Sequence, residues 1–187
     1  MTLTTIDPTP ALVVIDLQKG LLAGAGAALP AVVEPTTHLV SAFRRHGLPV
    51  VLVNVTGRAP GRTEAARAGR GAPPPPGWAE LIEELDARPT DHLITKRRRS
   101  AFHDTGLDTL LRDLGVTQVV LAGISTSAGV ESTARSASDH GYHVVFATDA
   151  MADREEADHR HSVERVFPKI GERATTAEVV AMIEAGR

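Results

Sequence analysis

No cysteine occurs among the 187 residues. A disulfide framework, a thiolate-held zinc, an iron–sulfur cluster and a cysteine nucleophile are therefore all excluded. Concentrated positive charge is also missing: 20 Lys and Arg stand against 23 Asp and Glu, for a formal net charge of −3. That balance argues against nucleic acid or an anionic membrane as a general partner. The dense basic run is confined to Lys96 to Arg99. Met1 to Pro10 lack a basic n-region and a long apolar stretch, and no apolar run approaches the ~20 residues of a membrane helix. The expectation is a soluble cytoplasmic protein with one domain over 1–187, long enough to bury roughly two-thirds or more of its unfolded surface.

What is present alternates. Ala11 to Ile15, Pro49 to Val55, His92 to Thr95, Gln118 to Ala122 and His143 to Ala147 are short apolar runs rich in β-branched residues, which read as buried strands. Helical spacing covers Pro30 to His46, with Gly47 at the C-cap, and then Trp78 to Ala87. It resumes over Thr105 to Leu114, where Thr105 and Asp108 suggest a capping box, over Ser125 to His140 and over Glu155 to Phe167. A weak strand near Arg173 to Thr175 and a helix from Thr176 to Ala185 close the pattern. Thr56 to Gly77 is a long Pro-, Gly- and Arg-rich loop ending in Pro73 to Pro76, expected to be exposed and stiffened by polyproline. Alternation of this kind predicts a three-layer α/β/α domain with a doubly wound, mostly parallel sheet of about six strands.

Ligands of such sheets bind beyond the carboxyl ends of the strands, where Asp16, Asn54, Lys96 and the Gly123 to Gly129 turn all fall. Asp16 and Lys96 are natural partners, since burying either alone costs several kcal/mol. A structural ion pair and a catalytic pair both fit that spacing. Leu121 to Val130 reads as strand, small-residue turn and helix start, a place where backbone N–H groups meet a ligand.

These segments resemble the isochorismatase-like hydrolase superfamily, also called the cysteine hydrolases. The motifs are Ala11 to Gln18, Lys96 with Ser100-Ala101-Phe102 and Thr105 to Asp108, Gly123 to Thr126 through Gly129 to Ala134, and His143 to Asp153. They span about 150 residues. The resemblance implies a catalytic Asp16 and Lys96, with Gly129 where most members carry a cysteine nucleophile. Members that hydrolyse the enol ether of isochorismate also carry Gly there and need no covalent intermediate. By that likeness Asp16 is the general acid and Lys96 orients it, and a cis peptide is expected at Ile124-Ser125.

Substrate contacts are expected from Gln18, Asn54, Phe102, Ile124, Ser125 and Ser127; Arg58 and Arg62, on the long loop, read first as solvated, with the clamping of an anion as the alternative. One of Arg97, Arg98 and Arg99 is expected to face the pocket. His159 and His161 read as surface or interface residues. Some relatives bind a metal through histidines just after the second strand; no His occurs here between His46 and His92, so neither metal nor cofactor is expected. Gly106 to Thr109 is read as a helix start rather than a carrier-protein attachment motif, because Thr stands where Ser would accept the arm. The partners implied are a small-molecule substrate and further copies of the chain, as a dimer or higher homo-oligomer. Two rival functions stay open: an amidase using Ser125, Ser127 or activated water, and a scaffold that has lost the chemistry.

Overall fold

The computed structural model describes residues 3–23, 30–58, 60–64 and 74–186. Ala59 and much of the expected Thr56 to Gly77 loop, Pro73 included, lie outside them. Six strands, β1 (Pro10–Ile15), β2 (Val50–Val55), β3 (His92–Lys96), β4 (Gln118–Ile124), β5 (His143–Ala152) and β6 (Glu172–Ala174), form one sheet in the order β3-β2-β1-β4-β5-β6. Every pairing is parallel. The helices are α1 (Lys19–Leu22), α2 (Val33–Arg45), α3 (Leu107–Asp113), α4 (Glu131–Asp139), α5 (Glu156–His161) and α6 (Thr176–Ala185). Among the described residues no helix is long and apolar enough to cross a membrane.

Alternate residues of each central strand serve opposite cores, because side chains on a strand point to opposite faces. Leu12, Val14, Leu52, Val120 and Val145 pack with Leu39, Phe43 and Ile183 of α2 and α6. Val13, Ile15, Val53, Val119 and Phe146 pack on the other face with Leu107, Leu111, Ala134 and Phe167. Both faces of the sheet are thus covered, which is why its strands read as unbroken apolar runs. The chain lays β2 and β3 to one side of β1 and β4 to the other. The crevice between the ends of β1 and β4 is therefore the topological switch point.

Three local expectations are corrected. Trp78 to Ala87 is not a helix: only Glu83–Leu85 forms a single 3₁₀ turn. The backbone before it bonds to the segment after β1 instead, Lys19 N–H to Glu80 O at 2.8 Å, Gly20 N–H to Trp78 O at 2.9 Å and Ile82 N–H to Leu17 O at 3.1 Å. The capping box at Thr105 is absent because α3 starts from Gly106 without a side-chain cap, and Asp108 accepts from the Tyr142 hydroxyl at 2.8 Å. Finally, β5 runs on to Ala152, with a register shift opposite Leu121 to Gly123, so its end lies beside that of β4.

Candidate active site

Asp16 follows β1 directly, in the left-handed region at φ 56. Its N–H bonds Val53 O and its own carbonyl accepts from Gln18 N–H, both at 2.9 Å. Aspartate tolerates this conformation better than most residues, and such backbone costs of order 1–3 kcal/mol persist only when the surroundings over-determine them. Here β4 does so. Gly123, at φ +107, lies so close to β1 that a Cβ on it would sit 2.0 Å from Ile15 O. No side chain fits there, and the approach brings the two strand ends together.

Lys96, the last residue of β3, reaches across this junction and donates to Asp16 Oδ2 at 2.8 Å and to Arg98 O at 3.2 Å. Both partners are buried, Lys96 at 2 % and Asp16 at 5 % exposure. Asp16 Oδ1 is also buried and has no hydrogen-bond partner among the described residues. Desolvation pushes the Asp16 pKa up from 3.8 to about 6, although the Lys96 ammonium pulls the other way through charge and hydrogen bond. A carboxyl with one oxygen held by a cation and the other unpartnered is suited to carry a proton near neutral pH.

Gly129 lies against that carboxyl. A Cβ at this position would stand 3.2 Å from Asp16 Oδ2, 3.2 Å from Ile124 O and 3.0 Å from Ile15 Cγ2. Any side chain at 129 would therefore rest on the acid, and glycine leaves the place bare. The backbone reaches it through a cis Ile124-Ser125 bond and a wide helical turn, Thr126–Val130, that leads into α4. Three outside side chains clamp this turn. Asp153 Oδ2 accepts from both Ser127 N–H and Ser127 Oγ at 2.7 Å. Thr126 Oγ1 meets His159 Nδ1 at 2.9 Å. Thr133 Oγ1 donates to Gly129 O at 2.7 Å while accepting from Ala101 N–H at 3.0 Å, tying the turn to the loop after β3.

Around Asp16 and Gly129 opens a cavity of about 370 Å³ with two unlike walls. Leu21, Val55 and Trp78 supply an apolar side; Arg58, Lys96, Arg98 and Arg99 supply cations, and Asp16 is the acidic group in the lining. A positive pocket in a chain of net charge −3 attracts small anions and concentrates them. The Trp78 ring packs on bare backbone, since a Cβ at Gly20 would fall 1.9 Å from its Cδ1.

The expected contacts divide. Ser125 lines the cavity together with Asp16, Lys96 and Gly129, and so does Arg58. Gln18 does not face a ligand: it is fully buried, and its amide is spent on Val55 N–H and O and on Trp78 O. Asn54 is likewise engaged, donating to Ala79 O at 2.8 Å and accepting from Thr95 Oγ1 at 2.7 Å. Both amides brace the segment that carries Trp78. Phe102 stacks on His140 with ring centroids 5.1 Å apart and, like Ile124, Ser127 and Arg62, is not in the cavity lining. Ile124 is buried in the core beneath the turn. His159, read as a surface or interface residue, is instead half-buried on Thr126, whereas His161 is exposed. Sequence reasoning gave no role to Asp153 and Thr133, although both fall within the family motifs, and missed Trp78. Of these Asp153 follows the true end of β5, where the strand-end rule would have found it.

The class of protein is thus a doubly wound α/β enzyme with an aspartate–lysine pair at its switch point. Comparison makes it specific: residues 10–178 match the Isochorismatase domain, and the chain belongs to that family. It is 38% identical over 182 residues to an uncharacterised isochorismatase family protein of Bacillus subtilis, covering 93% of this chain and 94% of the relative. A solved isochorismatase family protein of Burkholderia thailandensis is 35% identical, with a TM-score of 0.85 over 96% of this chain and 98% of that one. The maleamate amidohydrolase of Pseudomonas putida is 28% identical over 184 residues, 93% of this chain and 86% of the relative. The chain is therefore an isochorismatase-family hydrolase with the six-stranded α/β fold of its solved relatives.

Proposed function

We propose that the protein hydrolyses an enol ether on a small anionic metabolite, isochorismate being the type, without a covalent intermediate. Asp16 delivers a proton to the terminal vinyl carbon and leaves an oxocarbenium carbon. Water adds there and returns a proton to the Asp16 carboxylate, after which the hemiketal collapses to pyruvate and an alcohol. Lys96 holds Oδ2, the carboxyl oxygen nearest Gly129, and its charge lies beside the substrate carboxylate.

The observation that carries this reading is the state of Asp16, a buried carboxyl raised to about 6 with one oxygen unpartnered. General acids work best with a pKa near the operating pH. The bare backbone at Gly129 supports it as well, because a side chain there would stand against Asp16 Oδ2 within the same cavity lining. Ser125, the candidate nucleophile of an amidase reading, makes no side-chain hydrogen bond to a base among the described residues. Ser127 is bound to Asp153.

The test is Asp16→Asn assayed against isochorismate and related enol ethers, with maleamate as an amide control. The variant is expected to lose about 10²–10⁴-fold in kcat, the usual contribution of a positioned acid. Retained activity at the wild-type rate would refute the acid assignment. Turnover of maleamate that depends on the Ser125 hydroxyl would establish the amidase instead.

A further inference from the structure

Three guanidinium groups line the cavity, and among the described residues none has a carboxylate partner. Arg44, Arg45, Arg88, Arg112 and Arg135 each sit on an acid, whereas Arg62, Arg97, Arg154, Arg160 and Arg165, which form no ion pair among the described residues, are all exposed and outside the cavity lining. Within the cavity trio Arg58 and Arg99 are exposed, whereas Arg98 is half-buried. Its Nη1 is held on two neutral carbonyls, Arg97 O at 3.0 Å and Arg58 O at 3.4 Å, so the head group spans from the end of β3 to the loop after β2. Nε and Nη2 have no acceptor among the described residues. Its backbone carbonyl in turn receives Lys96 Nζ at 3.2 Å.

A half-buried arginine whose guanidinium is held through Nη1 alone, and only on neutral acceptors, lacks the counter-charge that its planar fork matches. We propose that Arg98 is a specificity-determining residue, which takes an anionic group of the substrate remote from the bond that breaks. This rests on the reading that the substrate occupies the Asp16 cavity. It goes further in assigning to this side chain the second of the two carboxylates that a substrate such as isochorismate carries, the first lying beside Lys96.

Because the ligand must bind without reacting, the test uses benzoate and isophthalate, which carry one and two carboxylates on the same ring, titrated calorimetrically into the full-length protein. Wild type is expected to bind isophthalate about tenfold or more tightly than benzoate, the size of one charge-assisted hydrogen-bonding contact. Arg98→Gln keeps the backbone carbonyl on Lys96 while removing the guanidinium. It is expected to abolish the preference and leave benzoate affinity within about twofold, and Arg98→Lys to recover only part, since an ammonium lacks the fork. Arg160→Gln, at an exposed position on α5 outside the cavity lining, is the control that keeps the preference. Should Arg98→Gln fail to fold, as seen by circular dichroism, Arg98→Lys carries the test. A preference that survives both substitutions, or its absence in wild type, overturns the proposal, and so does failure of wild type to bind either probe. A preference that vanishes with Arg98 in a protein that turns over no enol ether would overturn the proposed reaction and leave this assignment standing.

Discussion

Removing the Lys96 ammonium is expected to raise the Asp16 pKa above its wild-type position at about 6. Three effects act on this carboxyl: burial raises the pKa and dominates, while the charge and the hydrogen bond of Lys96 both lower it. The rise from 3.8 to about 6 corresponds to about 3 kcal/mol against the ionised form, at about 1.4 kcal/mol per pH unit. A cation in direct contact typically lowers a carboxyl by about 1–3 pH units, so Lys96→Met should move the midpoint up by about that much. The assay is a carbon NMR titration of 13C-carboxyl-labelled aspartate, with the Asp16 signal assigned by its loss in Asp16→Asn. A wild-type midpoint near 4, or a downward move in Lys96→Met, would refute the reasoning. The same balance fixes two signs. Above pH 6 the protonated fraction, and with it acid-dependent kcat/KM, should fall about tenfold per pH unit, and Lys96→Met should displace that limb to higher pH. In stability terms the folded pKa lies above the unfolded one, so the fold takes up a proton: the cost of charging Asp16 is absent below 3.8, grows towards about 6 and is constant above it.

Two glycines offer independent checks on the geometry. Gly123→Ala should destabilise by about 3 kcal/mol or more in urea unfolding, because the new methyl would meet Ile15 backbone atoms, which cannot swing aside; a loss below about 1 kcal/mol would mean that β1 and β4 do not approach as described. Gly20→Ala should instead push aside the Trp78 ring, a side chain free to move. Since this is the chain's one tryptophan, the change should appear as a red-shifted emission with weaker substrate binding and little loss of stability, and an unaltered spectrum would argue against the contact.

The sheet was legible because each central strand is buried on both faces and so announces itself as an unbroken apolar run, Ala11 to Ile15 and Gln118 to Ala122 most plainly. From strand ends alone came the meeting of Asp16 with Lys96, 80 residues apart. What stayed hidden depends on long-range hydrogen bonds with no local pattern. Trp78 to Ile82 has helical spacing, yet its backbone pairs with the segment after β1, under braces from Gln18 and Asn54. Those two amides read as ligand contacts because a polar residue at a strand end looks the same whether it meets substrate or holds the wall against which substrate packs. Asp153, though inside the His143 to Asp153 motif, has no role in the sequence reading for a related reason: with β5 expected to stop at Ala147 the acid falls in a loop, whereas the register shift carries the strand on to Ala152.

Position 129 shows how one absent side chain changes what the same scaffold offers chemically. Its missing Cβ would lie 3.2 Å from the carboxyl oxygen that Lys96 holds. A nucleophile placed there would lie on Asp16 and draw on it as a base, which calls for an ionised carboxylate and a low pKa. With glycine no side chain at 129 draws on the carboxyl, and burial outweighs the lysine to hold the pKa at about 6, the condition that suits the proposed acid. The environment of Asp16 and the identity of residue 129 are thus matched. Restoring a side chain at 129 would by itself leave the acid poised for the wrong direction of proton transfer.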